Sequence, residues 1–249
     1  MSALPNPLPT PPAVSSDWAL FLDVDGTLLD FADVPGDVLV DPGLVDVLAV
    51  LHGRLDGALA LVSGRRLAQL DELFAPLKLP ATGLHGLERR EEGHLEKHPR
   101  PRALDEAVAW GKALAQRYPG ARVEDKGTTI ALHWRAAPDA EDLLRQYADS
   151  ILIELPGYHL QPGNMVVELR PDGAHKGTAV IDMLQHPPFK GRRPVFVGDD
   201  LTDEHAFAAV SSHGGFGVLV GSRPSSGARY GLHDPAAVRE WLEEGLSLA

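Results

Sequence analysis

Short apolar runs that end in Gly, Ser or Asp occur in two parts of the chain, at residues 19–22 and 57–62 and again at 194–197 and 217–220. Runs of this kind are typical of parallel strands that are buried on both faces. The segments that follow them carry apolar residues at helical spacing, and this alternation indicates a parallel sheet with helices on both faces. The predicted helices begin at or close to Asp41, Arg66, His175, Asp203 and Asp234. These two parts therefore predict an α/β fold with a Rossmann-like parallel-sheet core.

The pattern changes between the two parts, where a helix followed by two strand-like segments occurs twice. The helices are predicted at 103–118 and 140–150. The strand pairs are predicted at 122–124 with 128–135 and at 151–155 with 166–170. Helix plus hairpin, repeated, describes a small α+β domain. We therefore expect residues 102–170 to be inserted into a core formed by 18–101 and 171–249.

The first residues of the chain look different from both domains. Residues 1–17 contain five prolines and lack the basic and apolar regions of a signal peptide, so they predict a disordered Pro-rich tail. No stretch reaches the roughly 18 uncharged apolar residues that a membrane span requires. We expect a cytoplasmic protein that has no membrane partner and is a monomer.

Composition narrows the chemistry that the chain can perform. Among 249 residues, 44% are hydrophobic and 23% are charged, as in ordinary globular proteins. The absence of cysteine excludes disulfides, thiol catalysis and thiolate metal sites. A net charge of −12 argues against a nucleic-acid partner, which needs concentrated positive charge. An anionic substrate would therefore have to be captured by local positive groups.

Two carboxylates, those of Asp23 and Asp25, come directly after the first predicted strand. Ligands bind outside the carboxyl ends of the strands in open α/β sheets, so both acids are expected to face a site. Acids that are close together at a partly buried edge repel each other unless a cation or a proton lies between them. One carboxylate could attack phosphorus while the other transfers protons. The alternatives are a Ca²⁺-binding acidic loop and a solvated turn.

Further polar residues follow other predicted elements. Ser63, after the second strand, could hydrogen-bond a phosphoryl group, although Ser-Gly is also a common turn. Lys176 could contact both a carboxylate and a phosphate from the start of a helix, where a solvated Lys is the alternative. Asp199 and Asp200 follow the strand at 194–197, and such hard oxygen ligands suit Mg²⁺. In the same segment, Thr202 or Asp203 could instead cap the next helix.

Taken in chain order, these segments resemble the motifs of the haloacid dehalogenase superfamily of aspartate-based phosphatases, over roughly residues 18–100 and 171–249. The resemblance implies that Asp23 is the nucleophile and Asp25 the general acid and base. It also implies that the inserted domain is a cap that closes over the substrate. The residues implied to bind phosphate are Ser63 and Lys176. The implied Mg²⁺ ligands are Asp23, the backbone of Asp25 and Asp199, with Asp200 and Asp203 as supporting acids.

The inserted domain contains the polar residues that are expected to select the substrate. His133 and Arg135 alternate with apolar residues, so they point away from the apolar face of their strand. Glu124, Lys126 and Glu168 add charges of both signs, and such a surface can donate to and accept from many sugar hydroxyls. An exposed sheet face with cross-strand ion pairs is the alternative.

Several segments of the chain look like those of the trehalose-6-phosphate phosphatase family. They are Gly83–Arg89, Glu124–Gly127, Leu132–Arg135, Val167–Pro171, His175–Gly177 and Gly198–Glu204. The resemblance implies that Glu124, Lys126, Arg135 and Glu168 hold glucose hydroxyls. His133, Gly64 and Arg65 are also expected to contact the substrate, and His85 and Gly86 to lie at the hinge.

The resemblance leaves alternatives open. Phosphatases of sucrose 6-phosphate or mannosyl-3-phosphoglycerate differ from this family only in the inserted domain. A sugar phosphomutase of the same superfamily would return the phosphate to another hydroxyl and release none. A non-catalytic sensor would be expected to have lost one of Asp23, Asp25 or Asp199, and all three are present.

Overall fold

The structure is a computed structural model that describes residues 8–30, 40–91 and 94–246. Its strands are β1 Trp18–Leu22, β2 Leu59–Val62, β3 Ala81–Gly83, β4 Glu88–Glu91, β5 His94–Lys97, β6 Arg122–Asp125, β7 Ile130–His133, β8 Tyr158–Gly163, β9 Val166–Pro171, β10 Arg193–Gly198, β11 Phe216–Val220 and β12 Tyr230–Leu232. Its α-helices are α1 Pro42–Arg54, α2 Leu67–Leu73, α3 Arg102–Ala115, α4 Glu141–Leu152, α5 Lys176–Met183, α6 Glu204–Ser212 and α7 Pro235–Glu244. These elements form two compact units, one from Met1–Glu96 with His175–Ala249 and the other from Lys97–Ala174.

The first unit contains an eight-stranded sheet in the order β12-β11-β10-β1-β2-β3-β4-β5. The strands from β12 to β3 are parallel, and β4 is antiparallel to β3. This is the predicted α/β architecture. The strand order reverses beside β1, where Leu22 pairs with Val197 of β10. Ligands of doubly wound sheets bind at such a switch point, outside the carboxyl ends of the strands.

Local sequence explains why these elements form. Every residue of β1 is buried, as its unbroken apolar run requires. Helix α1 begins as predicted, with Pro42 as its first residue and Asp41 as its N-cap. The side chain of Asp41 accepts the N–H of Gly43 at 2.8 Å, which satisfies one of the free donors of the first turn.

The second unit is the predicted α+β domain, and helix plus hairpin occurs twice in it. Its four-stranded antiparallel sheet has the order β6-β7-β9-β8. Helices α3 and α4 contribute Leu104 and Leu144 to its core, and the sheet contributes Leu132 and Leu169. Trp134, just after β7, is fully buried in the same core.

One strand of this unit was predicted in the wrong place. Residues 151–155 are not a strand, because α4 continues to Leu152 and the strand of the second hairpin is β8. Leu144, Ala148 and Ile151 lie three or four residues apart and are buried, which is the spacing of one helix face. A short apolar run cannot by itself distinguish the end of such a helix from a strand.

The N-terminal segment also differs from the expectation. Residues 1–7 lie outside the described residues, but residues 8–17 are not a loose tail. The carbonyl of Pro12 accepts the indole N–H of Trp241 at 2.9 Å, and the carbonyl of Pro9 accepts the N–H of Gly231. Val14 belongs to the core of the first unit. Proline lacks a backbone donor but keeps its carbonyl, so a Pro-rich segment can still be fixed by accepting hydrogen bonds.

Among the described residues, no helix combines the length and the apolar character that a membrane span needs.

Candidate active site

Asp23 lies directly after β1, where the strand order of the large sheet reverses. Its backbone N–H donates to the carbonyl of Val197 at 2.9 Å, so the neighbouring strand fixes the start of this turn. Gly26 follows with a φ of 79°, a conformation that favours glycine. The side chain of Asp23 is buried, and a buried carboxylate needs a partner.

Lys176 is that partner. Its Nζ lies 2.7 Å from Oδ1 of Asp23 and 2.7 Å from Oδ1 of Asp203, and it is only 3% exposed. Lys176 is the first residue of α5, whose N-cap His175 accepts the N–H of Thr178 through its ring Nδ1. A cation at a helix start is mildly unfavourable, so the two carboxylates explain why a lysine is buried here.

Asp199, just after β10, joins these acids in one group. Oxygen atoms of Asp23, Asp199 and Asp203 all lie within 4.8 Å of one another. Thr27 donates its hydroxyl to Oδ1 of Asp199 at 3.2 Å. The single positive charge of the Lys176 ammonium therefore lies next to a group of three carboxylates. A divalent cation that prefers oxygen ligands matches both this excess of negative charge and this set of donors.

The pKa values of the acid group reflect the same excess of negative charge. Burial raises the pKa of Asp23 well above its ordinary value; Lys176 opposes this and Asp203 adds to it. Burial also raises the pKa of Asp199 to about 6, and Asp203 contributes. Burial alone would lower the pKa of Lys176, but Asp23 and Asp203 outweigh it and raise that pKa. A cation bound among the acids would favour their ionised forms.

Asp25 lies outside this acid group, and its carboxylate is held by Arg65. Nε of Arg65 donates to Oδ2 at 2.7 Å and Nη2 donates to Oδ1 at 2.6 Å. Arg65 follows Ser63 and Gly64 at the end of β2, and its N–H donates to Oγ of Ser63 at 3.1 Å. A bidentate pair fixes both distance and orientation. Arg65 was predicted to contact the substrate, and in this structure its guanidinium contacts Asp25.

His85 lies against the same turn after β2, and Gly86 follows it. The N–H of His85 donates to the carbonyl of Ser63 at 3.0 Å. The imidazole lies so close to Gly64 that a Cβ there would be 2.8 Å from Nε2 of His85. His85 has a φ of 57° and Gly86 a φ of 107°. The structure therefore places His85 beside the predicted phosphate-binding Ser63, whereas Gly86 lies next to Ala179 of α5.

Asp200 and Asp203 have separate tasks. Oδ1 of Asp203 contacts Lys176, and its Oδ2 accepts the N–H of Asp200 at 2.8 Å. The side chain of Asp200 accepts the N–H of Leu201 at 2.6 Å and begins a short 3-10 helix. Asp203 is the N-cap residue of α6, as one interpretation of the sequence allowed, but its side chain makes no capping hydrogen bond to that helix. Asp200 caps the 3-10 helix, and Asp203 completes the capping box there.

Two residues near the acids were not identified from the sequence. Thr27 follows the first acid pair in the chain, so its position could have suggested the contact with Asp199. Arg223 donates to the backbone carbonyl of Asp199 at 3.3 Å and pairs with Glu204 at 2.6 Å. A single arginine in a loop carries no sequence signal of this kind.

The second unit brings together the polar residues that were predicted to select the substrate. Ala131 of β7 pairs with Glu124 on one side and Glu168 on the other, so both carboxylates share one sheet face. Nε2 of His133 lies 3.0 Å from Glu124, and its hydrogen bond lowers the pKa of that carboxyl. Nζ of Lys126 lies 3.7 Å from Glu168.

Arg135 lies just beyond β7, where Nη2 donates to the carbonyl of Asn164 at 3.4 Å. It is exposed. Thr129 donates to Glu168 at 2.8 Å from the same face and was not identified from the sequence.

Comparisons with known proteins point to one family. The family model described as trehalose-phosphatase matches residues 21–235. The chain is 42% identical to trehalose-6-phosphate phosphatase of Escherichia coli K12, over 96% of this chain and 90% of that protein. It is 43% identical to a probable trehalose-phosphate phosphatase of Sinorhizobium fredii, over 91% and 88%. A solved trehalose-6-phosphate phosphatase related protein shares the fold, with a TM-score of 0.73 and 24% identity over 92% of this chain and 97% of that one.

Proposed function

Since the chain belongs to the trehalose-phosphatase family, we propose that it hydrolyses trehalose 6-phosphate to trehalose and inorganic phosphate. The observation that carries the proposal is the buried contact between Lys176 and Asp23, next to Asp199 and Asp203. Aspartate-based phosphoryl transfer needs a carboxylate nucleophile and a fixed positive charge beside it. A protein of net charge −12 also needs this local charge to attract an anionic ester.

Mg²⁺ is the proposed cofactor, and Asp23, Asp199 and the main-chain carbonyl of Asp25 would hold it. The excess of carboxylates over ammonium groups and the raised pKa of Asp199 support this assignment. When bound, Mg²⁺ supplies positive charge against the phosphoryl oxygens. Asp203 serves as a supporting acid, because its Oδ1 is already held by Lys176.

The first half of the proposed reaction transfers the phosphoryl group to the protein. A carboxylate oxygen of Asp23 attacks phosphorus, and the bond from phosphorus to the sugar oxygen breaks. Asp25, protonated on one oxygen while Arg65 keeps its contact with the other, donates that proton to the sugar oxygen, so trehalose leaves as a neutral alcohol. Lys176 and the hydroxyl of Ser63 stabilise the charge on the phosphoryl oxygens.

The second half releases phosphate and restores the protein. Asp25, now ionised, takes a proton from water as that water attacks phosphorus. The bond between phosphorus and Asp23 breaks, which regenerates the Asp23 carboxylate. Asp25 is protonated again at the end, so the cycle closes with one water consumed and one phosphate released.

The sugar-binding residues are proposed to be Glu124, Lys126, His133, Arg135 and Glu168, because the sheet of the second unit presents charged donors and acceptors together. Carboxylates accept from sugar hydroxyls, whereas Lys and Arg donate to them. Groups that now contact each other, such as Glu124 and His133, would exchange that contact for hydrogen bonds with sugar hydroxyls.

Release of inorganic phosphate from a panel of esters tests the proposal. The panel contains trehalose 6-phosphate, sucrose 6-phosphate, glucose 6-phosphate and mannosyl-3-phosphoglycerate, each with Mg²⁺ and with EDTA. We expect EDTA-sensitive hydrolysis with strong preference for trehalose 6-phosphate. Preference for another ester would overturn the substrate, and an isomerised sugar phosphate without free phosphate would overturn hydrolysis itself.

A further inference from the structure

Residues 83–88, which we term the support segment, are in direct backbone contact with residues 63–67, which comprise the loop after β2 and the first residue of α2. The N–H of Leu84 donates to the carbonyl of Arg65 at 2.9 Å. A Cβ at Gly83 would lie 2.8 Å from both the carbonyl oxygen of Arg65 and the backbone nitrogen of Leu67. There is no space for a side chain between the two segments, so a displacement of one would displace the other.

The support segment adopts a backbone conformation that is unfavourable for its residues. Leu84 and His85 are consecutive non-glycine residues with φ values of 51° and 57°. Left-handed residues of this kind persist only where the surroundings determine them, and they concentrate at functional sites. Here the surroundings include the carbonyls of Arg65 and Ser63, which accept the N–H groups of Leu84 and His85.

Glu88 holds the end of the support segment against the same loop. Its carboxylate is only 5% exposed, and Oε2 accepts the N–H of Leu67 at 2.8 Å. None of the proposed reaction steps uses this carboxylate. Its contact fixes the residue that lies two positions after Arg65, and Arg65 holds Asp25 through two short hydrogen bonds.

We propose that Glu88 is a positioning residue for the proton transfer by Asp25. It fixes the 63–67 loop, and the loop fixes the guanidinium of Arg65, which orients the Asp25 carboxylate. The inference rests on the proposed function in that Asp25 is the residue that protonates the leaving oxygen. A small displacement of a catalytic group can reduce the rate by large factors, so the loss of the Leu67 contact should be visible in catalysis.

Two esters distinguish this role from simple stabilisation of α2. A sugar oxygen needs a proton to leave, whereas p-nitrophenolate leaves without one. Glu88→Ala should therefore lower kcat/KM for trehalose 6-phosphate about tenfold more than kcat/KM for p-nitrophenyl phosphate. Glu88→Gln keeps an acceptor oxygen for the N–H of Leu67 and should stay within about threefold of the unmodified protein. Equal losses on both esters would overturn the proposal.

A double-mutant cycle tests whether Glu88 acts through Arg65. Because both residues act on Asp25, adding Glu88→Ala to a protein that already carries Arg65→Ala should lower kcat/KM for trehalose 6-phosphate by less than about twofold. If Glu88→Ala lowers kcat/KM by the same factor in the unmodified protein and in the Arg65→Ala protein, Glu88 does not act through Arg65. The control is Asp234→Ala, which removes the carboxylate that accepts the N–H of Ala237 at the start of α7. It should lower the Tm and leave the ratio between the two esters unchanged.

Amide hydrogen exchange gives a readout that does not depend on the reaction. Glu88→Ala should speed exchange within residues 63–67, whereas Asp234→Ala should not. Unchanged exchange in this loop would overturn the proposal even if no ester were cleaved. If the substrate panel selects another sugar phosphate, the proposed substrate is overturned, and that ester takes its place in the comparison.

Discussion

The ammonium of Lys176 lies 2.7 Å from Oδ1 of Asp203, and Asp203 is fully buried. The same ammonium contacts Asp23, so one buried cation serves two buried acids from different parts of the chain. A buried ion pair contributes little net stability compared with apolar residues, but the loss of one partner leaves the other charge uncompensated. Lys176 thus supports the fold as well as the proposed chemistry.

Lys176→Met should destabilise the protein by about 3 kcal/mol, because two buried carboxylates would remain without their cation. Urea unfolding followed by circular dichroism, in the absence of Mg²⁺, measures the loss. The matched control is Lys112→Met, at an exposed position of α3, which should change stability by less than about 0.5 kcal/mol. A Lys176→Met protein as stable as this control would show that the acids do not depend on the ammonium.

Asp23→Asn should abolish phosphate release and leave the fold intact. The amide lacks the negative charge that attacks phosphorus, and a loss of at least about a thousandfold is expected for a nucleophile. The Tm should not fall, because the substitution removes one of three mutually repelling acids. Asp46→Asn, at an exposed position of α1, is the control and should be fully active. Appreciable activity of Asp23→Asn would contradict the assignment of the nucleophile.

The sequence allowed much of the first unit to be predicted, because its central strands are unbroken apolar runs. Strands β4 and β5 were missed because Glu88–Glu91 and His94–Lys97 show no apolar alternation. These strands form because the edge of the sheet offers partners for backbone hydrogen bonds, and amino-acid composition does not reveal such partners. The polar residues after β1 and β10 were predictable because parallel strands bring their carboxyl ends to one edge.

Which side chains contact each other was harder to predict from the sequence than which residues lie at the site. Arg65 stands next to a predicted phosphate-binding residue, yet its guanidinium reaches Asp25, 40 residues earlier in the chain. Glu88 lies in a segment that sequence similarity singled out, but its contact with Leu67 depends on how β4 packs beside α2. Such contacts follow from tertiary placement, which neither periodicity nor spacing reveals.

Arg135→Ala should impair trehalose 6-phosphate turnover much more than turnover of p-nitrophenyl phosphate. If Arg135 donates to a sugar hydroxyl, its loss removes a charge-assisted hydrogen bond and should raise KM for the sugar ester about tenfold. The aryl ester has no sugar and should be cleaved nearly as before. Arg145→Ala is the control, because Arg145 lies on α4 and contacts Glu141 and the Trp134 ring. Equal effects of Arg135→Ala on both esters would exclude a role in sugar binding.

The affinity for Mg²⁺ should depend on pH through Asp199. Burial raises the pKa of this carboxyl from 3.8 to about 6 in the metal-free protein, and a protonated carboxyl cannot serve as a ligand. As the pH falls below about 6 the affinity should decrease, by up to about tenfold per pH unit for each ligand that becomes protonated. Asp23, whose pKa is also raised by burial, adds to this dependence. Isothermal titration calorimetry between pH 5 and 7.5 measures this without turnover.

The same pKa shift determines how Mg²⁺ changes stability. A carboxyl whose pKa is raised by folding favours the folded state at low pH, and that contribution is lost as the pH rises from 3.8 through about 6. Bound Mg²⁺ offsets the loss, so it should raise the Tm more at pH 7 than at pH 5. Asp199→Asn removes one of the two titrating ligands, and both pH effects should become smaller. A Tm increase that is the same at pH 5 and pH 7 would show that Asp199 is not a ligand.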